Sequence, residues 1–160
     1  MISKRAIVQR IVEQLTEQLA ALAGASQAMH ADASDEQNKP EDKYDTRGLE
    51  TAYLASSQAR LATETEQALT TYQSLALERF SNTTPITLSA LVELDSKGAR
   101  TLYFLGPKNG GLEIQLKDKE ILLITPESPL GQQLLGKKVG DRIQLQTRGP
   151  GQQYRVISVT

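Results

Sequence analysis

The sequence has no cysteine and no tryptophan, and only one histidine, His30, in 160 residues. Without cysteine there are no disulfides, no thiolate zinc sites and no cysteine nucleophile, which fits a reducing compartment. Aromatic residues make up 4% of the chain. That is too few for a large aromatic ligand pocket or a platform on which nucleic-acid bases stack. No apolar run approaches the roughly 20 residues that cross a bilayer. The opening MISKRAIVQRIVEQLTE carries Glu13 and Glu17 where a secretory leader would be apolar. The expectation is a cytoplasmic chain with no membrane attachment. Nucleophile-elbow, phosphate-loop, dinucleotide-fingerprint and zinc-protease motifs are all missing. His30 reads as a polar surface residue, since one histidine seldom makes a metal site alone.

With 39% apolar and 23% charged residues, a core can form in one domain or two small ones. The net charge of −1 hides a split: residues 1–80 hold eight basic and twelve acidic residues, a net of −4, and residues 81–160 hold ten and seven, a net of +3. Two modules with different surfaces would produce it, as would chance.

Residues 2–27 read as an amphipathic helix, because Val8, Val12, Leu15, Leu19 and Leu22 recur at spacings of 4, 3, 4 and 3, widened by Ile7 and Ile11. Residues 47–80 read as a second helix, with Leu54, Leu61, Ala68 and Leu75 repeating every seven and Tyr53, Leu69, Tyr72 and Phe80 adding bulk. Two single-striped helices with no sheet partner satisfy each other by packing as an antiparallel hairpin about 40 Å long. That predicts an elongated monomer. Residues 81–86 break the helix and read as a linker.

From residue 87 the apolar period becomes two, which predicts strands at 87–94, 100–105, 111–116, 119–125, 142–147 and 153–159. Glycine-bearing turns at Lys97-Gly98, Asn109-Gly110-Gly111 and Gly149-Pro150-Gly151 separate several of them. One short helix interrupts the series. Ser128 is its N-cap, Pro129 its first residue and Gly136 its stop, with Leu130, Leu134 and Leu135 as its apolar face. Leu134 and Leu135 are expected in the core, and Lys137 and Lys138 exposed. The fold class is α+β: a helical hairpin at 1–80, a linker at 81–86 and an antiparallel sheet with one short helix at 87–160.

Between the helices, residues 30–48 are polar. Asp32, Asp35, Glu36, Glu41, Asp42, Asp45 and Glu50 fall within nineteen residues, against Lys39, Lys43 and Arg47. Carboxylates on a stalk can be delivered into a partner's cavity, there to share a Mg²⁺ that neither side holds tightly alone. Asp32 and Asp35 are three apart, one helical face if the first helix reaches them, and are the leading pair. Glu36 assists, and Glu41 and Asp42 stand in reserve beyond Pro40. The alternative is a solvated loop whose charges keep the tip soluble. Tyr44 most simply packs against the start of the second helix.

The segment ITPESPLGQQLLGKKVGD at 124–141 resembles the C-terminal signature of the Gre transcript cleavage factors. It has the Ser-Pro-aliphatic start, the Leu-Leu-Gly-Lys stretch and Gly-Asp before a strand, and the likeness continues through the last strand, Gln153–Val159. The order of helical hairpin and compact β module also fits. The resemblance implies an FK506-binding-protein-like C-terminal domain that docks on RNA polymerase through the region of Ser128, Pro129, Lys137, Lys138 and Asp141. It implies a hairpin that enters the secondary channel and acidic tip residues that support Mg²⁺-dependent cleavage of backtracked RNA. The family's tip reads roughly D-x-x-E-N-x-E-Y. Here Asp32-Ala-Ser-Asp35 keeps the first spacing with Asp for Glu, while Asn38, Glu41 and Tyr44 are spread out around Pro40, as in a shorter Gre-like branch.

The leading expectation is therefore a polymerase-binding regulator with no tightly bound cofactor and no sequence-specific nucleic-acid contact. Its tip either stimulates the polymerase's own cleavage or blocks the channel. The rivals are a coiled-coil adaptor for another protein and a peptidyl-prolyl isomerase. The isomerase needs an aromatic pocket, for which the β module offers Tyr103, Phe104 and Tyr154.

Overall fold

The computed structural model describes residues 2–34, 47–145 and 151–160, with side-chain surroundings left undescribed for 25–34, 47, 48, 50 and 51. Two helices, α1 (Lys4–Ser34) and α2 (Arg47–Gln73), precede six strands. These are β1 (Leu91–Ser96), β2 (Ala99–Leu105), β3 (Glu113–Leu116), β4 (Lys119–Ile124), β5 (Arg142–Leu145) and β6 (Gln152–Val159), with α3 (Pro129–Leu134) between β4 and β5. The helical region and the sheet with one short helix are thus both present. The chain divides into two compact units, Met1–Ile11 with Thr71–Thr160, and Val12–Thr70. The first eleven residues therefore group with the sheet, not with the hairpin module expected to run from 1 to 80.

The second helix is shorter than its period suggested, ending at Gln73, with residues 75–80 in no regular structure. There the backbone is held from outside: Ser89 Oγ accepts the Glu78 amide at 2.9 Å, and Lys4 Nζ donates to the Glu78 carbonyl. Lys4 also stands 4.7 Å from the Phe80 ring centroid, and partial burial pulls its pKa down against the opposing pull of Glu78. The threonines of both helices are accommodated because Thr16, Thr63, Thr65 and Thr70 bond to the carbonyl four residues back.

The apolar stripes are buried only in part. On α1 the fully buried residues are Ile7, Ile11 and Leu15, while Val8, Val12, Leu19 and Leu22 are half-buried. On α2 they are Thr65, Ala68 and Tyr72, while Leu54 and Leu61, expected in the seam, are 51% and 43% exposed. Residues three and four apart share a face, so Ile7, Ile11 and Leu15 lie along one side of α1, and Thr65, Ala68 and Tyr72 along one side of α2.

The sheet order is β3-β4-β2-β1-β6-β5. It is mainly antiparallel, as expected, with one parallel pair. β2 and β4 run parallel, Leu102 opposite Ile121 and Leu105 opposite Ile124, while the other neighbours are antiparallel. The β3–β4 hairpin inserts β4 beside β2, an arrangement that alternation along one strand cannot encode. The first strand starts at Leu91, not residue 87, because Ser89 takes a left-handed φ of 72° and its amide bonds to the Leu105 carbonyl.

Both sheet faces are covered near the centre. Val92, Leu94, Tyr103, Leu105, Ile124 and Val156 join Leu134 in one core. The alternate residues Leu91, Phe104, Ile114, Ile121 and Leu123 are buried on the other side. Tyr72 abuts Gly106 and Leu123 there: a β-carbon on Gly106 would collide with the Tyr72 hydroxyl and come within 2.7 Å of Leu123. The Tyr72 hydroxyl donates to the Lys108 carbonyl and accepts from its amide at 3.4 Å. Burial pushes the Tyr72 pKa up to about 12, against the opposing effect of its backbone hydrogen bond at Lys108.

Candidate functional site

The family-like segment forms one continuous turn system around α3. Ser128 is extended (φ −67°, ψ 153°), its Oγ accepts from the Gly131 amide at 3.0 Å and donates to the Thr125 carbonyl at 2.7 Å. Pro129 follows at the first helical position, where a missing amide hydrogen is harmless. Gly131 is buried against Thr125: a β-carbon would collide with the Thr125 carbonyl oxygen and sit 2.8 Å from its carbon. Gly136 then leaves the helix at φ 82° and donates its amide to the Ile86 carbonyl, while the Ile86 amide returns to the Lys137 carbonyl at 2.8 Å. Ile86 is fully buried, so the end of the expected linker at 81–86 is part of the core.

The exit turn is equally built. Asp141 Oδ2 accepts the Lys138 amide at 2.9 Å, and the Asp141 carbonyl accepts from Val156 at 2.9 Å. Ser128 Oγ and Asp141 Oδ2, on residues expected to dock, are thus engaged in local turns. Lys138 is exposed as expected, and Lys137 is half-buried. Leu134 is fully buried, but Leu135, expected in the core, is 41% exposed. One short helix turns one stripe inward, and the next residue rotates out of it.

Solvent meets a shallow concavity of about 390 Å³ beside α3, lined by Pro129, Gln132, Gln133, Gln144 and Leu145. Leu88, 38% exposed, flanks the Ile86 contact with the end of α3. The glutamines and Leu88 were not anticipated; only the exposed side of the α3 period could have signalled Gln132 and Gln133. This surface offers side-chain amides and an apolar edge, with Lys137 and Lys138 following the end of α3.

The acidic tip residues fall elsewhere in the chain. Asp32 lies within α1, and its side chain lies outside the described residues, as do Asp35, Glu36, Asn38, Glu41, Asp42 and Tyr44 entirely. Among the described residues no cluster of His, Asp and Glu is arranged to hold a metal. No described helix is long and apolar enough to cross a membrane. Tyr103 and Phe104 are packed into opposite faces of the sheet, and the Tyr154 hydroxyl donates to Gln152 at 2.6 Å. They do not converge on an isomerase pocket.

Residues 85–160 match the family model described as transcription elongation factor, GreA/GreB, C-terminal. Among solved structures, GreA factor homolog 1 (Gfh1) of Thermus thermophilus is 24% identical, covering 93% of this chain and 94% of its own, with a TM-score of 0.38. Gfh1 of Thermus aquaticus is 23% identical over 92% of each chain, with a TM-score of 0.39. A GreA/GreB elongation factor from Nitrosomonas europaea is 18% identical over 70% of this chain and 92% of its own, with a TM-score of 0.38. No curated protein matches the chain.

Proposed function

We propose that this chain is a Gre-like transcription regulator that binds RNA polymerase through the α3 surface and inserts its helical hairpin into the secondary channel, a reading supported by the match of residues 85–160 to the GreA/GreB C-terminal model. The family match carries this reading. The turn system explains what the match contributes physically: Ser128, Gly131, Gly136 and Asp141 hold α3 in one position and leave Leu135 and Lys138 to solvent. A docking surface held by caps and turns loses little entropy on binding.

In this reading the chain is not an enzyme by itself. Asp32 and Asp35, with Glu36, present carboxylates to a Mg²⁺ of the polymerase, with Glu41 and Asp42 in reserve. Exposed carboxylates away from the partner are not preorganised, so the free chain binds Mg²⁺ weakly. The spread of Asn38, Glu41 and Tyr44 around Pro40 favours channel blocking over cleavage. The test is binding to purified bacterial polymerase followed by cleavage of a backtracked transcript. Binding without stimulated cleavage supports the blocking form, and binding with cleavage that Asp32→Ala plus Asp35→Ala abolishes supports the other. No binding rejects both.

One observation favours an adaptor as second reading. Leu49, Tyr53, Leu54 and Leu61 of α2 are 43% to 73% exposed, a surface that a protein other than polymerase would cover. Capture of a different protein by the full chain, lost in Tyr53→Asp plus Leu54→Asp, would support it.

A further inference from the structure

The sheet end farthest from the β3–β4 hairpin carries an arrangement that polymerase docking through α3 does not use. Asp95 on β1 pairs in register with Arg155 on β6, and Arg155 pairs with Arg142 on β5. Register partners share a face, so these three residues form a row across three strands. Their neighbours Leu94, Val156 and Ile143 are buried in the core on the opposite face. Lys97 follows β1 in a tight turn at φ 53°. Asp95, Lys97, Arg142, Gln153 and Arg155 line a concavity of about 330 Å³.

Two arginines directly opposite each other on antiparallel strands repel, and such a pair is destabilising unless something neutral or negative intervenes. None of Lys97, Arg142 and Arg155 makes an ion pair or hydrogen bond through its side chain among the described residues. Asp95 is half-buried, and its Oδ1 is shielded from solvent with no hydrogen-bond partner. It places one negative charge at the inner edge of three cations and ties up none of them. The site therefore keeps a net positive charge and an excess of donors: two guanidinium forks, an ammonium and the Gln153 amide.

We propose that this face of β1, β6 and β5 binds phosphate-ester oxyanions, with Arg142 and Arg155 as a paired fork and Lys97 as a point charge. Opposite residues on neighbouring strands have Cα atoms roughly 5 Å apart, close enough for both guanidinium groups to grip one phosphate or diphosphate. Tyr154 also lines the concavity, its hydroxyl donating to Gln152 at 2.6 Å. The charged groups of the lining address the phosphate. The same chemistry is offered by a free nucleotide and by the phosphates of an RNA strand.

The experiment titrates the full chain with inorganic pyrophosphate at low ionic strength, with a short single-stranded RNA as competitor. The expected result is saturable binding that weakens with salt and falls roughly tenfold in Arg142→Gln and in Arg155→Gln, while Lys119→Gln, on β4 and outside this concavity, leaves it unchanged. Competition by RNA identifies strand phosphates as a source; its absence identifies free phosphates. Three results overturn the proposal: no pyrophosphate binding, equal affinity in the Arg142→Gln plus Arg155→Gln double variant, or equal displacement by polyglutamate, which would show that any negative chain suffices. The double variant keeps its polymerase affinity if docking uses α3, so failure here is separable from failure of the proposed function.

Discussion

Gly131 has no room for a β-carbon, because the Thr125 carbonyl occupies the space. Since the obstacle is backbone, Gly131→Ala should destabilise the chain by about 1–3 kcal/mol, in the range of overpacked sites. Ser128→Ala, which removes a cap bonded to both Gly131 and Thr125, should lose about 1 kcal/mol. Urea denaturation measures both; a Gly131→Ala variant as stable as the parent would show that α3 does not sit on Thr125. Tyr72 adds a pH dependence. Its folded pKa is raised from 10.0 to about 12, so the folded state holds the proton more tightly than the unfolded one. That contribution is complete below pH 10 and is lost as pH rises through about 12. Tyr72→Phe should flatten the fall in stability across this window, and an unchanged alkaline profile would count against burial as the cause. Caps were legible in the sequence because Ser128, Pro129 and Gly136 act on their own neighbours. The need for glycine at 106 and 131 was not, because it arises from Tyr72 and Thr125 packed against them.

At the scale of elements, α3 separates two adjacent leucines. Leu134 is fully buried and Leu135 is 41% exposed, although both fit an apolar face beside a six-residue helix. Leu134→Ala should therefore cost about 2–5 kcal/mol by thermal or chemical unfolding, and Leu135→Ala under about 1 kcal/mol. If Leu135→Ala destabilises the protein as much as Leu134→Ala, α3 is turned about its axis so that Leu135 also faces the core. The stripes of α1 and α2 were readable as a period, but which of their residues are buried depends on what lies opposite: Leu15 and Ala68 are buried, while Leu54 and Leu61 are exposed. Strand periodicity located all six strands, yet the parallel β2–β4 pair had no signature in alternation, which reports a face and not a neighbour. The end of α2 was also hidden, because Ser89 and Lys4 satisfy the backbone of residue 78 from distant parts of the chain.

For the whole molecule, the likeness to the GreA/GreB C-terminal model was readable from Ser128 to Asp141, since those residues serve a turn system built from near neighbours in sequence. The tip was readable only as composition: seven carboxylates in residues 32–50 carry a chemistry but no geometry. If the tip works through a shared Mg²⁺, Asp32→Ala plus Asp35→Ala should leave polymerase affinity unchanged and alter only events in the channel. The proposed regulation of transcription rests on the proposed docking to polymerase through the α3 surface. The deciding measurement is the affinity of the full chain for purified bacterial RNA polymerase, alongside Lys137→Glu plus Lys138→Glu. Lys138 is exposed and Lys137 half-buried, so folding should survive and be confirmed by circular dichroism. Saturable binding by the parent is expected, with a loss of roughly tenfold or more in the double variant at low salt. No binding by the parent would contradict the function, and equal binding by both would contradict the docking surface.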